Sequence, residues 1–455
     1  MTEVAAASAL STDTPASSRF AWRLAPVAVA VGSLGLYAVA LGHRSLSTDE
    51  AASLEQSRGS WTAVLSTIVH DNPVQASHLV LLRLAQSFDD SEMAIRAPSV
   101  IAVALAAGLL VILGTLFLGR IGGLVAGVAF ALNAGVFEAA RVARPTALGL
   151  LGIVLATLIF VIALERGGGW RWWPYAAVAA VLPLTHPLAA SVLAAHGVTL
   201  IVQRDRRDLR AAGIALVTGI AGAAILLGWM VNDRLDAVDT ARRLDLAEFA
   251  HGVTRALGWN PILGVAAVAG IVLLFRAPAS RTWGTLVTGL IAAPLVAILL
   301  AAVVVPVYVT PLVLSAPGLA LAAGAVAPVL AQSRGLVWAG LAAMLMWSAV
   351  VVSVRVTREP AEDWRAVAVA VRQVRGPRET VVVLPERSRA AFSYYAPYVA
   401  LSGSVRGDGA WIAVVASSPE VAISSARPVV RTPTYALLRQ FRYGSDLRLQ
   451  HWVRP

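Results

Sequence analysis

The chain has 455 residues, 58% of them hydrophobic and 14% charged, with a mean hydropathy of +0.72. A water-soluble globule cannot hide that much apolar surface, so composition excludes an ordinary soluble enzyme and indicates a polytopic membrane protein. The formal charge of +11 comes from arginine alone, in short loops where it anchors helix ends to anionic lipid, which argues against a nucleic-acid partner; the absence of cysteine excludes disulfides and thiolate-held metals.

Residues 1–21 are polar and rich in Ser, Thr and Ala, which predicts a disordered cytoplasmic start before an uncleaved first helix. Apolar runs then predict about eleven transmembrane spans, at 22–42, 99–118, 121–137, 146–164, 174–185, 187–203, 211–231, 260–275, 284–305, 312–331 and 336–353. With the N-terminus in the cytoplasm, Arg120, Arg166, Arg171, the run from Arg204 to Arg210, Arg276, Arg281 and Arg334 fall in short cytoplasmic loops, as the positive-inside rule asks. The same orientation sends loops 43–98 and 232–259 outside. Within the first loop, Thr62 to Ile68 and Ala76 to Phe88 carry apolar residues at helical spacing, which predicts short helices lying on the membrane surface. After the transmembrane domain of 22–353 the composition changes. Glu362-Asp363-Trp364-Arg365 opens an amphipathic helix, Thr380 to Leu384 and Trp411 to Ala416 read as strands, and 354–455 is expected to be a small extracytoplasmic α/β domain. The fold class is therefore an all-α polytopic membrane protein with a small α/β tail domain.

Polar residues gather at the outer ends of the spans. Asp49 and Glu50 follow the first span, where ionised side chains are either solvated or functional; the plainer alternative is that Ser47-Thr48-Asp49 caps a helix from Ala51 to Arg58. His70-Asp71-Asn72-Pro73 closes one surface helix and opens the next, with His78 further on, and ordinary turn chemistry accounts for the same residues. Glu138, Arg141 and Arg144 lie between the third and fourth spans at spacings that share a face. Two fixed cations there suit a lipid phosphate, while a Glu138–Arg141 pair tying two helix ends is the competing reading. His186, before Pro187, stands at the same height and reads equally as an interfacial residue. Asp233, Asp236, Asp239 and Asp245, with Arg234, Arg242 and Arg243, read as a solvated loop face.

Five stretches in this order, Ser47-Thr48-Asp49-Glu50-Ala51-Ala52, His70-Asp71-Asn72-Pro73, Ser91-Glu92-Met93-Ala94-Ile95-Arg96-Ala97-Pro98-Ser99, Ala143-Arg144-Pro145-Thr146-Ala147-Leu148 and Leu184-Thr185-His186-Pro187, carry a family resemblance. The chain resembles the GT-C membrane glycosyltransferases, specifically the glycosyltransferase family 39-like proteins of actinobacterial type that use polyprenyl-phosphate sugars. The resemblance implies an inverting transfer at the outer face of the plasma membrane, from a polyprenyl-phosphate sugar donor to a cell-envelope glycan, glycolipid or protein acceptor. Mannose is the expected sugar and arabinose the second. By the same resemblance Asp49 is the catalytic base, assisted by Glu50. Arg144 and Arg141 hold the donor phosphate, His186 and His70 steady a phosphate or a sugar hydroxyl, and Asp71, Asn72, His78 and Glu138 complete the substrate pocket. Glu50 and Asp71 either position the acceptor or share a divalent cation with Asp49, the expected cofactor if there is one. Two positions depart from the pattern: Asn72 stands where related aminoarabinose transferases carry Lys, and Tyr308-Val309-Thr310-Pro311 lacks an Arg that many relatives place beside the Tyr. A transporter or flippase would instead put broken helices and ionisable residues at mid-membrane, and a non-catalytic scaffold would dispense with the acid.

Overall fold

The computed structural model describes residues 16–167, 169–203, 209–234, 246–304, 310–330, 334–357, 360–405, 408–416, 418–430 and 435–454. The start of the chain through residue 15, Arg204 to Asp208 of the basic run, Asp236, Asp239, Arg242, Arg243, Asp245, Tyr308 and Val309 lie outside the described residues. The chain forms two compact units. One comprises Met1–Tyr37, Val100–Ala140 and Pro145–Val352; the other comprises Ala38–Ser99, Arg141–Arg144 and Ser353–Pro455.

In chain order the helices begin with α1 (Ala16–Ala38), α2 (Thr48–Gln56), α3 (Trp61–His70), α4 (Ala76–Gln86) and α5 (Glu92–Ala131). They continue with α6 (Ala134–Ala140), α7 (Thr146–Arg166), α8 (Trp172–Thr185), α9 (Val192–Gln203), α10 (Leu209–Arg234), α11 (Leu246–Ala256) and α12 (Pro261–Arg276). The last of the apolar series are α13 (Arg281–Val304), α14 (Ala316–Gly324), α15 (Ala327–Leu330) and α16 (Arg334–Thr357). Among the described residues five helices are long and apolar enough to cross a membrane, or six if α11 and α12, bent by 80° at their junction, count as one span. The expected eleven spans are thus not all recovered as full-length helices. One reason is length: α8 has 14 residues and α9 has 12, which at about 1.5 Å per residue fall short of about 30 Å of hydrocarbon. The other is that α5 is two spans in one. Gly119, at φ 75° and ψ 176°, breaks the helix, and a β-carbon on Gly114 would lie 2.8 Å from the Gly123 Cα, so the two halves fold back against each other. The second half stops at Ala131, and 134–140 forms the separate α6, where a single span to 137 was expected.

Small residues set the helix contacts of this unit. Lipid offers no hydrophobic gain for bringing two apolar helices together, so association depends on close backbone approach. Gly289 meets Ala195, Gly219 meets Ala179, and a β-carbon on Gly270 of α12 would fall on the Ala322 carbonyl oxygen of α14.

The second unit is built on a sheet. After α17 (Trp364–Val374) come β1 (Glu379–Leu384), α18 (Arg389–Tyr395), β2 (Gly409–Val415), α19 (Pro419–Val430), β3 (Ala436–Arg442) and β4 (Leu447–Val453). The strand order is β1-β2-β4-β3, parallel between β1 and β2 and antiparallel elsewhere. Alternation sends Val381, Val383, Trp411 and Ala413 to a core shared with α17, α18 and Ala51 of α2, while Val382, Ala410, Ile412 and Trp452 pack with Ala422 and Ala426 of α19. The two strands read from sequence are β1 and β2. β3 (ALLRQFR) escaped the apolar pattern because it is largely exposed, and β4 (LRLQHWV), although mostly buried, because Arg448, Gln450 and His451 interrupt its apolar residues.

Gly270→Ala is expected to destabilise the membrane unit by about 1–3 kcal/mol, because the added methyl meets a backbone oxygen that no side-chain rotation can move. Gly264→Ala, whose methyl would meet Leu257 carbons at an ordinary 3.6 Å, serves as the control, with thermal unfolding in detergent micelles as the measurement.

Candidate functional site

Helix α2 begins with a capping box. The Ser47 hydroxyl accepts from the Glu50 N–H at 3.3 Å, and the Glu50 carboxylate accepts from the Ser47 N–H at 3.0 Å. This start orients the two acids oppositely. Asp49 turns outward, its side chain 61% exposed, and forms an ion pair with Arg144. Glu50 turns inward and is fully buried.

Below Glu50 lies Arg96, from the first turns of α5. Its Nε and Nη2 donate to the two Glu50 oxygens at 2.8 and 2.9 Å. Its remaining N–H groups reach the carbonyls of Leu41 (2.8 Å), Arg44 (2.9 Å) and Ser45 (3.1 Å), so the guanidinium is saturated and ties down the chain that leads into α2. Burial alone would raise the Glu50 carboxyl, but the charge and hydrogen bonds of Arg96, with the Ser47 and Ala143 N–H groups, hold it below the usual carboxylate range.

The same carboxylate accepts from the Ala143 N–H at 2.9 Å, and the Ala143 carbonyl is held by His78 Nε2 at 3.1 Å. A carbonyl only accepts, so Nε2 carries the proton. Burial, with the Arg144 charge acting the same way and the Ala143 hydrogen bond opposing, pushes His78 down to about 4, so it stays neutral. Ala143 is thus gripped at both backbone groups, and its side chain packs with Leu46, Leu54, Leu82 and Ile95. Arg144 is the next residue, and this grip presents it to Asp49. Arg141 donates to the Ala40 carbonyl at 2.8 Å. Burial, then the charges of Arg44 and Arg96, push Arg141 down to about 10, still charged at neutral pH.

Residues from the end of the chain buttress this arrangement. Glu362 accepts from the Thr48 N–H (2.8 Å), the Thr48 hydroxyl (2.6 Å) and the Trp364 indole (2.6 Å), and the Tyr395 hydroxyl receives the Leu46 N–H at 2.7 Å. Glu92 takes both the Tyr395 hydroxyl and Arg365. The sequence assigns no role to Arg96 or Glu92, within the Ser91–Ser99 stretch, and marks Glu362 only as the opening of a helix.

The other expected site residues are placed as follows. His70 is exposed, with Nδ1 3.0 Å from the Ser66 carbonyl, and Asp71 is the exposed C-cap of α3. Asn72 donates to Gln56 at 3.1 Å, linking the surface turn to the end of α2. Glu138 and His186 belong to the other unit. Glu138 meets Arg255 at 3.1 Å, and His186 Nδ1 accepts from the Leu188 N–H at 3.2 Å, capping the turn Pro187–Ser191. Among the described residues no three His, Asp or Glu side chains group as a metal site, and a cation shared by Asp49, Glu50 and Asp71 does not fit, since Glu50 is already occupied by Arg96.

The profile of the dolichyl-phosphate-mannose-protein mannosyltransferase family matches residues 77–230. Among solved structures, ArnT from Cupriavidus metallidurans bound to undecaprenyl phosphate is 14% identical, covers 93% of this chain and 97% of its own, and superposes with a TM-score of 0.53. Its apo form, also 14% identical, covers 95% and 98% with a TM-score of 0.55. The chain has the GT-C fold. No curated protein matches it significantly by sequence. In this GT-C protein the profile begins within α4 and takes in Arg96, Arg141, Arg144 and His186, while Asp49 and Glu50 precede it.

Glu50→Gln is expected to cost about 3–5 kcal/mol of stability, because it leaves the buried Arg96 charge uncompensated. A pH effect follows from His78. Its folded pKa lies below the ordinary value, so the unfolded chain takes up the proton first, and stability is lost as pH falls from about 6.5 towards 4, by at most roughly 3 kcal/mol. Unfolding temperatures in detergent at pH 7 and pH 5 measure the slope, which His78→Gln should flatten.

Proposed function

We propose that this GT-C protein is an inverting glycosyltransferase that moves a sugar from a polyprenyl-phosphate donor to a cell-envelope glycan, glycolipid or protein acceptor at the outer face of the plasma membrane. The observation that carries the reading is the accessible Asp49–Arg144 pair, one acid and one cation side by side on a rigid support. An exposed pair of this kind contributes on the order of 1 kcal/mol or less to stability, so the elaborate grip on Ala143 is out of proportion to a structural purpose. The undecaprenyl phosphate held by ArnT supports a polyprenyl-phosphate donor, and the mannosyltransferase profile over 77–230 supports mannose as the sugar.

Inverting transfer needs a base for the acceptor hydroxyl and positive charge for the departing phosphate. When the donor phosphate enters, Arg144 exchanges the Asp49 carboxylate for phosphate oxygens, and Arg141, crowded by Arg44 and Arg96, gains an anion that relieves the repulsion among like charges. The freed Asp49 carboxylate takes the proton of the acceptor hydroxyl. The acceptor oxygen bonds to the anomeric carbon from the face opposite the phosphate, the bond from that carbon to the phosphate oxygen breaks, and polyprenyl phosphate leaves. Glu50, His78 and Arg96 hold the segment in place and take no part in the proton transfer.

Asp49→Asn is expected to lower transfer by about 10²- to 10⁴-fold with little change in folding, because the side chain is exposed. Arg144→Ala should lose both transfer and affinity for undecaprenyl phosphate. Purified protein with radiolabelled polyprenyl-phosphate mannose and arabinose provides the assay, and undiminished transfer by Asp49→Asn removes the base assignment.

A further inference from the structure

A second feature of the sheet-containing unit lies apart from the Asp49–Arg144 pair. An open cleft of about 260 Å³ runs between α2 and the start of α18, floored by Ala51, Leu54 and Ala390. Its polar wall includes Glu55, Arg58, Glu386, Arg387, Arg389 and Tyr394. The cleft falls just below the usual range of ligand pockets, which begins at about 300 Å³, so it suits a compact group or one portion of a longer chain.

Some donors and acceptors in this wall are engaged, the Tyr394 hydroxyl donating to the Asp90 carbonyl at 2.7 Å, and others are free. Arg389 is paired with Glu386 at 2.7 Å, yet its Nε is buried without a hydrogen-bond partner. Glu55, Arg58 and Arg387 make no side-chain ion pair among the described residues, although Glu55 and Arg58 stand three apart. The Arg58 guanidinium instead lies 6.0 Å from the centre of the Tyr394 ring. A site for a bare anion would collect cations and exclude carboxylates, and a site for an apolar group would exclude both. A wall that alternates carboxylate and guanidinium beside an aromatic ring matches a ligand dense in hydroxyls, each of which donates to one and accepts from the other.

We infer that this cleft is a saccharide-binding subsite that holds part of the glycan acceptor; the acceptor role rests on the glycosyltransferase reading, while saccharide binding does not. The cleft and Asp49 are carried by one helix of nine residues, with Glu55 about 9 Å beyond Asp49 along the axis and the cleft residues Ala51, Leu54 and Glu55 on a different side. Only an acceptor of more than one residue reaches both, so the subsite selects oligosaccharides over free sugars. It leaves the donor untouched.

The test uses the full-length protein in detergent, with neutral manno-, arabino- and gluco-oligosaccharides of two to four residues as probes and saturation-transfer NMR as the readout. Glu55→Gln and Arg387→Ala change exposed side chains and are expected to fold normally; together they should weaken binding of the preferred oligosaccharide at least tenfold. Stabilisation by undecaprenyl phosphate should stay as in the unmodified protein. If the unmodified protein binds none of the probes, if inorganic phosphate alone occupies the cleft, or if the double variant binds as well as the parent, the inference is overturned. Binding that is sensitive to the two variants, in a protein that transfers no sugar from any polyprenyl donor, would retain the subsite and refute the glycosyltransferase reading instead.

Discussion

The guanidinium of Arg96 spends all of its hydrogen bonds inside the protein, two on Glu50 and three on carbonyls of the segment that joins α1 to α2. A buried ion pair of this sort recovers its desolvation cost only when every remaining donor and acceptor is satisfied, and here they are. Glu50 in turn serves three masters: the capping box of α2, Arg96 and the Ala143 N–H. Through these contacts one carboxylate fixes the start of a helix, the course of a loop and the height of the arginine-bearing segment.

From that constraint the division of labour between neighbouring acids follows. Asp49 and Glu50 differ by one position, which on a helix is a turn of about 100°, enough to put one in solvent and the other in the interior. The inner acid is held ionised below the usual range by Arg96, and the outer one faces Arg144. Precision at the outer pair comes from groups that never touch a substrate, in keeping with the general need to lock reactive side chains from behind. Glu362, Tyr395 and Glu92 extend the support, and their loss would loosen the site without removing any reactive atom.

The membrane unit meets a different requirement. Its helices pack where glycine meets alanine or another glycine, as at Gly270 with Ala322 and Gly114 with Gly123. That mode of packing accommodates short and broken helices such as α8 and the α11–α12 pair, which a reading based on span length alone treats as uniform rods.

Much of this protein was legible in its residues. Apolar runs mark the chain as a many-helix membrane protein, Gly119 falls between two expected spans, and the N-cap chemistry read at Ser47-Thr48-Asp49 is realised at Ser47, which starts the helix at Thr48 rather than Ala51. The acid and arginine stretches were also visible, and Asp49 and Arg144 do meet. Sequence could not tell that Glu50 faces inward, that His78 grips a backbone carbonyl rather than lining a pocket, or that Glu138 meets Arg255, because each depends on partners between 46 and 117 positions away. Nor could it join the 43–98 loop to the tail: residues 48 and 362 are brought together by folding, and no local pattern records a hydrogen bond across 314 positions. Local periodicity fixes which segments become helix or strand, whereas charge pairing across the chain is settled only when burial forces each ionised group to find a partner.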